Sequence, residues 1–194
     1  MEKKKQRKLI IMQSLAAMLE ERDLLKITTA ELAKRSEITE AAIYKHFPSK
    51  RKIFEELVVF FEESIFSRIK VMKEESKPED FPGQLIALIL KFCETNKGFS
   101  RILTREVFTA DEVKIIDKVS NCFEKINIEI RQSLQDYERT TKKKLNLNLA
   151  SSCDLLLSCL EGQIQSFVRS KFKKDLSGSW DDQWNFLKKA IFSN

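Results

Sequence analysis

Three helix-start signals in close succession constrain this chain more than any other feature. Thr28, Thr39 and Ser49 each stand directly before a run of helix-forming residues. Glu31, following Thr28 at the capping-box spacing, completes the first signal. The stretch from Thr28 to Lys50, TTAELAKRSEITEAAIYKHFPSK, therefore reads as two short helices joined by a tight turn at Ser36-Glu37-Ile38. Pro48 ends the second helix, Ser49 caps the next, and Lys50 lies in that helix's first turn. Ala30, Leu32 and Ala33 are expected to turn inward. The second helix, Glu40 to Lys45, opens on Ala41 and Ala42, small enough to let a helix end approach something bulky. Tyr44, Lys45 and His46 follow, an aromatic-basic mix suited to a DNA major groove and the phosphates on its rims. On pattern alone a second reading stands beside this one: a helix-turn-helix core that touches no nucleic acid.

The charge distribution separates the two readings. The formal excess of +6 lies entirely within residues 1–52, and the rest of the chain carries as many acidic as basic side chains. A phosphate-binding face predicts such an asymmetry, whereas an ordinary solvated surface does not require it.

Only 4 Gly and 3 Pro in 194 residues argue for few turns and long helices. No apolar run reaches the length of a membrane span. The basic N-terminus is followed by only the short apolar run Leu9 to Met12, too little for a signal peptide, so a cytoplasmic protein is expected. Cys93, Cys122, Cys153 and Cys159 lack metal-ligand spacing and lie in apolar helical contexts, as buried free thiols do. The single histidine, His46, rules out a histidine-based metal cluster within one chain. A nucleophile-histidine arrangement would have to borrow it from the end of the recognition helix. No glycine loop of the phosphate-cradling kind occurs. Neither an enzyme nor a cofactor is expected.

Along the rest of the chain the helical period recurs without a strand pattern or an internal repeat. Residues 2–8, EKKKQRK, read either as an arm following a minor groove or as a solvated end. A first helix runs to about Glu21, with Met12, Leu15, Ala16 and Leu19 on its core face, and a short loop at Arg22–Lys26 follows. A long helix from Arg51 to Glu75 carries the stripe Phe54, Leu57, Val58, Phe61, Ile65, Ile69 and Met72. Phe60 and Phe66 fall off that stripe near Arg68, either half-buried against another helix or offered to a partner. SKPEDFPG at 76–83 breaks the chain. Helices are then expected over 84–95, 99–108, 112–137 and 145–172, with a polar loop at 139–144. A last helix from Ser179 carries Trp180, Trp184, Leu187 and Ile191 on one face. Ser152, Ser158 and Gly162 thin the surface of the preceding helix. The two last long helices are expected to form a homodimer interface with the Trp pair inside it.

The Tyr44, His46, Phe47 and Lys50 pattern, in its setting ITTAELAKRSEITEAAIYKHFPSK, resembles the DNA-binding domain of the TetR superfamily. This chain has Glu37 where that family usually has the turn glycine. The resemblance implies an all-α fold: an N-terminal three-helix helix-turn-helix bundle over 1–52 and a larger helical dimerisation and partner-binding domain over 53–194. It implies double-stranded DNA contacts by Thr28, Thr29, Thr39, Ala41, Tyr44, Lys45, His46 and Lys50. Further segments, FFEESIFSRI, NKGFSRILT and CLEGQIQSFVRSKFKKD with Trp180, are similar to the nucleoid occlusion branch of the superfamily. That branch implies a nucleoid-associated homodimer that, when DNA-bound, antagonises the division protein FtsZ. The FtsZ-binding surface would include Phe60, Arg68, Leu88 and Asn96. Lys91 and Thr95 depart from that branch's pattern, standing in place of glycine and arginine. A small-molecule ligand is not implied by this branch. The alternative is a ligand-responsive TetR-type transcriptional repressor.

Overall fold

The computed structural model describes residues 2–21 and 27–193. The loop expected at Arg22–Lys26 lies outside them. Among the described residues the chain forms nine helices: α1 (Glu2–Glu20), α2 (Thr29–Arg35), α3 (Glu40–His46), α4 (Lys50–Glu75), α5 (Phe81–Thr95), α6 (Lys97–Leu103), α7 (Val113–Thr141), α8 (Leu149–Arg169) and α9 (Trp180–Ile191). The only departure from helix and loop in this set is an isolated antiparallel bridge between Leu145 and Phe192.

All three start signals are realised as caps. The Thr28 hydroxyl accepts from the Glu31 N–H at 3.1 Å, Thr39 from Ala42 at 3.2 Å and Ser49 from Lys52 at 3.2 Å. Each satisfies an N–H that has no partner inside its helix. Glu37 occupies the turn with φ 54°, a left-handed conformation that costs a side-chain-bearing residue about 1 kcal/mol. The turn closes nonetheless, through Ile38 N–H to the Ala33 carbonyl at 3.0 Å.

Several boundaries differ from the sequence expectation, each for a local reason. Residues 2–8 form the start of α1, with Lys5, Gln6 and Arg7 exposed, as their straight-chain, helix-favouring side chains permit. α5 begins at Phe81 because Pro82 sits in its first turn, where the missing N–H costs nothing. α6 is shorter than expected, ending at Leu103, with Arg105 at φ 64° just beyond. α7 runs on through Thr141 and stops at left-handed Lys142, so the polar loop loses its first three residues. α8 begins only at Leu149, where the Asn148 side chain accepts from Ser151 N–H at 2.9 Å. It stops before Lys171 and Phe172, both of positive φ.

α4 is the axis of the core. Phe54, Leu57, Val58, Phe61, Ile65 and Ile69 are buried along it. Phe61 meets Phe92 of α5 edge-on at 5.2 Å, and Phe92 meets Phe99 of α6 at 5.2 Å, the edge-to-face geometry aromatic rings prefer. Three of the four free cysteines are buried and Cys159 is half-buried. Burial pushes the Cys93 and Cys122 thiols up to about 12, which leaves them protonated and unreactive.

The tryptophan pair lies inside this chain rather than on a dimer face. Trp180 and Trp184 are 2% and 8% exposed. They fold back on the start of α5, where the Trp180 Nε1–H donates to the Gly83 carbonyl at 2.8 Å. A Cβ on Gly83 would lie 2.2 Å from the Trp184 indole. The loop before α9 is held by Glu94 of α5, whose carboxylate accepts from Lys91, from the Ser177 hydroxyl and from the Leu176 and Ser177 N–H groups. The Lys91 and Ser177 bonds hold its carboxyl down at about 2. Large apolar side chains left outside on the last two helices are Leu155 and Phe186.

α6 meets α1 at a second close approach. A Cβ on Gly98 would lie 2.2 Å from the backbone oxygen of Ala16, and backbone in a helix cannot rotate away as a side chain can. Gly98→Ala should therefore destabilise the fold by about 1–3 kcal/mol, the cost of overpacking a tight contact. Urea denaturation of the purified variant checks this; an unchanged midpoint would mean that α6 slides freely on α1.

Candidate nucleic-acid and partner interface

α2 and α3 are fastened to the bundle by Leu32, Ala33, Ile43 and Phe47, all buried. The turn between them is anchored by Ser36, also buried. Ala30, expected inside, is exposed, since Leu32 and Ala33 already fill the narrow apolar face of so short a helix. The opposite face carries the sequence-derived DNA residues. Thr28, Thr39, Ala41, Tyr44 and Lys45 are exposed, while Thr29, His46 and Lys50 are half-buried. The Thr29 and Tyr44 hydroxyls lie 3.3 Å apart, a hydrogen bond that ties the start of α2 to the outer face of α3.

Two cations hold this face in place. Lys50 does not stand free at the start of α4: its ammonium donates to the Ile27 carbonyl at 2.9 Å and sits 6.0 Å from the centre of the Phe54 ring. It thus fastens the entry of α4 to the segment leading into α2. Lys8 of α1 lies over the Phe47 ring at 5.1 Å, so α1 reaches the end of α3. Neither contact leaves a mark in the sequence, because each joins residues far apart in the chain.

The four sequence-derived partner residues fall on the seam where α4 and α5 run antiparallel. Phe60 is 40% exposed, and its ring lies 6.0 Å from that of Phe99. Phe60 and Asn96 line one groove together, with α1 as its other wall. The Asn96 side chain donates to the Phe92 carbonyl at 2.9 Å, closing the end of α5. Arg68 lies in a separate groove with Val71, Met72 and Gln84, and its guanidinium donates to the Ser64 carbonyl at 3.0 Å. Leu88 is half-buried and packed against the core, so its truncation would disturb folding first. Phe66 likewise packs against the core.

Sequence reasoning missed the α1 wall of the first groove. Leu9, Met12, Ala16 and Ala17 line it. A signal was present: the run Leu9 to Met12 is apolar all round, more than the single core face of α1 can use.

Comparison with known proteins sets these faces in context. Residues 11–57 fit the family described as bacterial regulatory proteins, tetR family, and residues 83–191 fit the SlmA-like family described as tetracyclin repressor-like, C-terminal domain. The nucleoid occlusion factor SlmA of Shewanella baltica is 38% identical over 185 residues, covering 95% of this chain and 94% of that protein. SlmA of a Marinomonas species is 35% identical over 193 residues, covering 99% and 98%. Among solved structures, the transcriptional regulator FadR of Bacillus subtilis in complex with stearoyl-CoA superposes with TM-score 0.75 at 14% identity, over 95% of this chain and 99% of that one. FadR of Bacillus halodurans gives 0.77 at 12% identity, over 97% of each. At such identities the likeness speaks for the fold alone.

The Lys50 contact makes a separate prediction. Lys50→Ala removes a charge-assisted bond to a half-buried carbonyl and should cost roughly 1–2 kcal/mol of stability, read by thermal unfolding in the absence of any ligand. Equal stability of variant and parent would place the ammonium in solvent instead.

Proposed function

The chain belongs to the TetR family, in its SlmA-like branch, and we propose that it is a nucleoid occlusion factor: a homodimer that binds specific sites in double-stranded DNA and, when bound, antagonises FtsZ polymerisation and so blocks division over the chromosome. The observation that carries the proposal is the reach of the similarity. Identity of 35% to 38% extends over at least 94% of each SlmA relative. It therefore includes the helices beyond the DNA-binding unit, where TetR regulators of other kinds diverge.

In this reading residues 1–52 form the DNA-binding unit, and 53–194 the dimerisation and partner-binding unit. Tyr44, Lys45 and His46 address the major groove from α3. Thr28, Thr29, Thr39, Ala41 and Lys50 surround them, with Lys50 also fixing the posture of α4. The net charge of +6, confined to this segment, supports a phosphate-facing surface. The dimer forms through the outer face of α8, where Leu155, Ser158 and Gly162 are exposed, together with Phe186 of α9, 74% exposed. Small residues at helical spacing let a partner helix come close, and the two-fold axis would match paired half-sites on DNA. Phe60, Arg68, Leu88 and Asn96 form the FtsZ-facing side. No catalytic group, cofactor or small ligand enters the reading, and the protein works in the cytoplasm on the nucleoid. Among the described residues no helix is long and apolar enough to cross a membrane.

The test has two stages. Duplexes selected from a random pool fix the preferred site, and sedimentation of GTP-assembled FtsZ with the protein, with and without that duplex, reads the antagonism. Loss of sedimentable FtsZ polymer only with the duplex present is the expected result. Site-specific binding without any effect on FtsZ would turn the reading to a ligand-responsive TetR-type repressor. Within the DNA stage, Lys45→Ala should lower the slope of log affinity against log salt by about 1, the loss of one phosphate contact, or else alter site preference. A variant with parental slope and parental preference would remove Lys45 from the interface.

A further inference from the structure

α3 carries an acidic side chain on the face that the proposed function turns toward DNA. Glu40 stands between Thr39 and Ala41, and all three are exposed. Ile43 and Phe47 are fully buried and hold α3 against the bundle, and the Thr39 hydroxyl caps it through the Ala42 N–H. The rotation of α3 is therefore set, and Glu40 is held outside. Tyr44 follows one turn later on the same side of the helix. It is 49% exposed, and its hydroxyl lies 3.3 Å from that of Thr29, so a duplex resting on Tyr44 also rests on Glu40. Nearby carboxylates are taken up by cations, Glu21 by Arg35 and Glu55 by Lys52; among the described residues Glu40 has no such partner.

That carboxylate works against general DNA binding. The segment around it carries the chain's whole excess of +6, yet a negative charge set beside phosphates weakens attachment to any duplex. An ionised carboxylate accepts hydrogen bonds and donates none, and phosphate oxygens also only accept. In the major groove the donors are the N4 amino group of cytosine and the N6 amino group of adenine. Adenine presents the acceptor N7 beside N6, and its lone pair repels a carboxylate. Cytosine presents N4 without a neighbouring acceptor, so it is the base that Glu40 suits. We propose that Glu40 determines sequence specificity, its carboxylate accepting a hydrogen bond from the N4 amino group of one cytosine in each half-site. The inference rests on the DNA binding proposed above and extends it to a residue outside the contact set named there. Guanine and thymine, which turn acceptors to the same groove, are rejected by the same charge, so Glu40 lowers affinity in general and raises discrimination. A purely structural role, a carboxylate favoured at the start of α3 by the helix dipole, would leave base preference untouched.

The test uses the full chain and duplexes selected from a random pool by the parent, by Glu40→Gln and by Glu40→Ala. The site selected by the parent should hold a C·G pair at one fixed position of each half-site, and replacing that pair should weaken the parent by about tenfold. Replacing the cytosine by a base that lacks the N4 amino group should cost the parent as much and Glu40→Ala nothing. Glu40→Ala should bind all four base pairs there equally well and hold an unrelated duplex at least as tightly as the parent. Glu40→Gln, whose amide donates as well as accepts, should turn the preference toward adenine. Circular dichroism confirms that both variants are folded. If the parent selects a site and both variants keep its base preferences at every position, Glu40 reads no base and only this inference falls. Glu40→Ala losing affinity evenly for all duplexes, with a lower unfolding temperature, would leave Glu40 the dipole role alone and likewise overturn it. If the parent selects no site, the DNA binding proposed above falls with it.

Discussion

At Gly98 the backbone of α6 lies so close to the Ala16 carbonyl of α1 that no side chain fits between them. Much of the arrangement follows from that contact. It fixes α1 against the larger helical body, so the helix beneath α2 and α3 moves with α6 or not at all. The inner face of α1, through Ile11, Leu15 and Leu19, fills the bundle that supports α2 and α3. Its outer face is one wall of the groove beside Phe60. One rigid element thus borders both surfaces that the proposed function needs.

α4 ties the same surfaces together from the other side. At its start Lys50 holds the Ile27 carbonyl. Further along, Phe61, Phe92, Phe99 and Phe60 form a run of rings, each 5.2 to 6.0 Å from the next. Packed aromatics of this kind transmit displacement because the interior is dense and has few alternative arrangements. A shift of α4 at its Lys50 end would be felt at Phe60, and a segment pressed on Phe60 would be felt at Lys50.

The helical class, the helix-turn-helix and its caps were legible because each is a local property: cap residues, apolar period and turn chemistry act within a few residues. Glu37 was read as a left-handed turn residue against the family's glycine, and it is one. The errors came from contacts between distant segments. Pro82 and Gly83 looked like a break, yet they open α5, and Gly83 is the glycine on which the Trp pair packs. Those tryptophans looked like dimer-interface residues because amphipathicity shows that a face is covered without showing what covers it. The bond from Lys50 to the Ile27 carbonyl left no trace, since a contact between residues so far apart in the chain has no sequence signature. The α1 wall of the groove beside Phe60 left only an indirect trace, the surplus of apolar residues at Leu9 to Met12.

If a displacement of α1 or α4 at one surface is carried to the other, binding at one changes affinity at the other, and the coupling is reciprocal. The direct test is duplex affinity measured by fluorescence anisotropy with and without a saturating concentration of FtsZ. The account predicts that FtsZ tightens binding to the selected duplex, by a factor in the range of about 5 to 150 that such couplings usually span. Identical duplex affinity in the two conditions, with FtsZ shown to be bound, would contradict it.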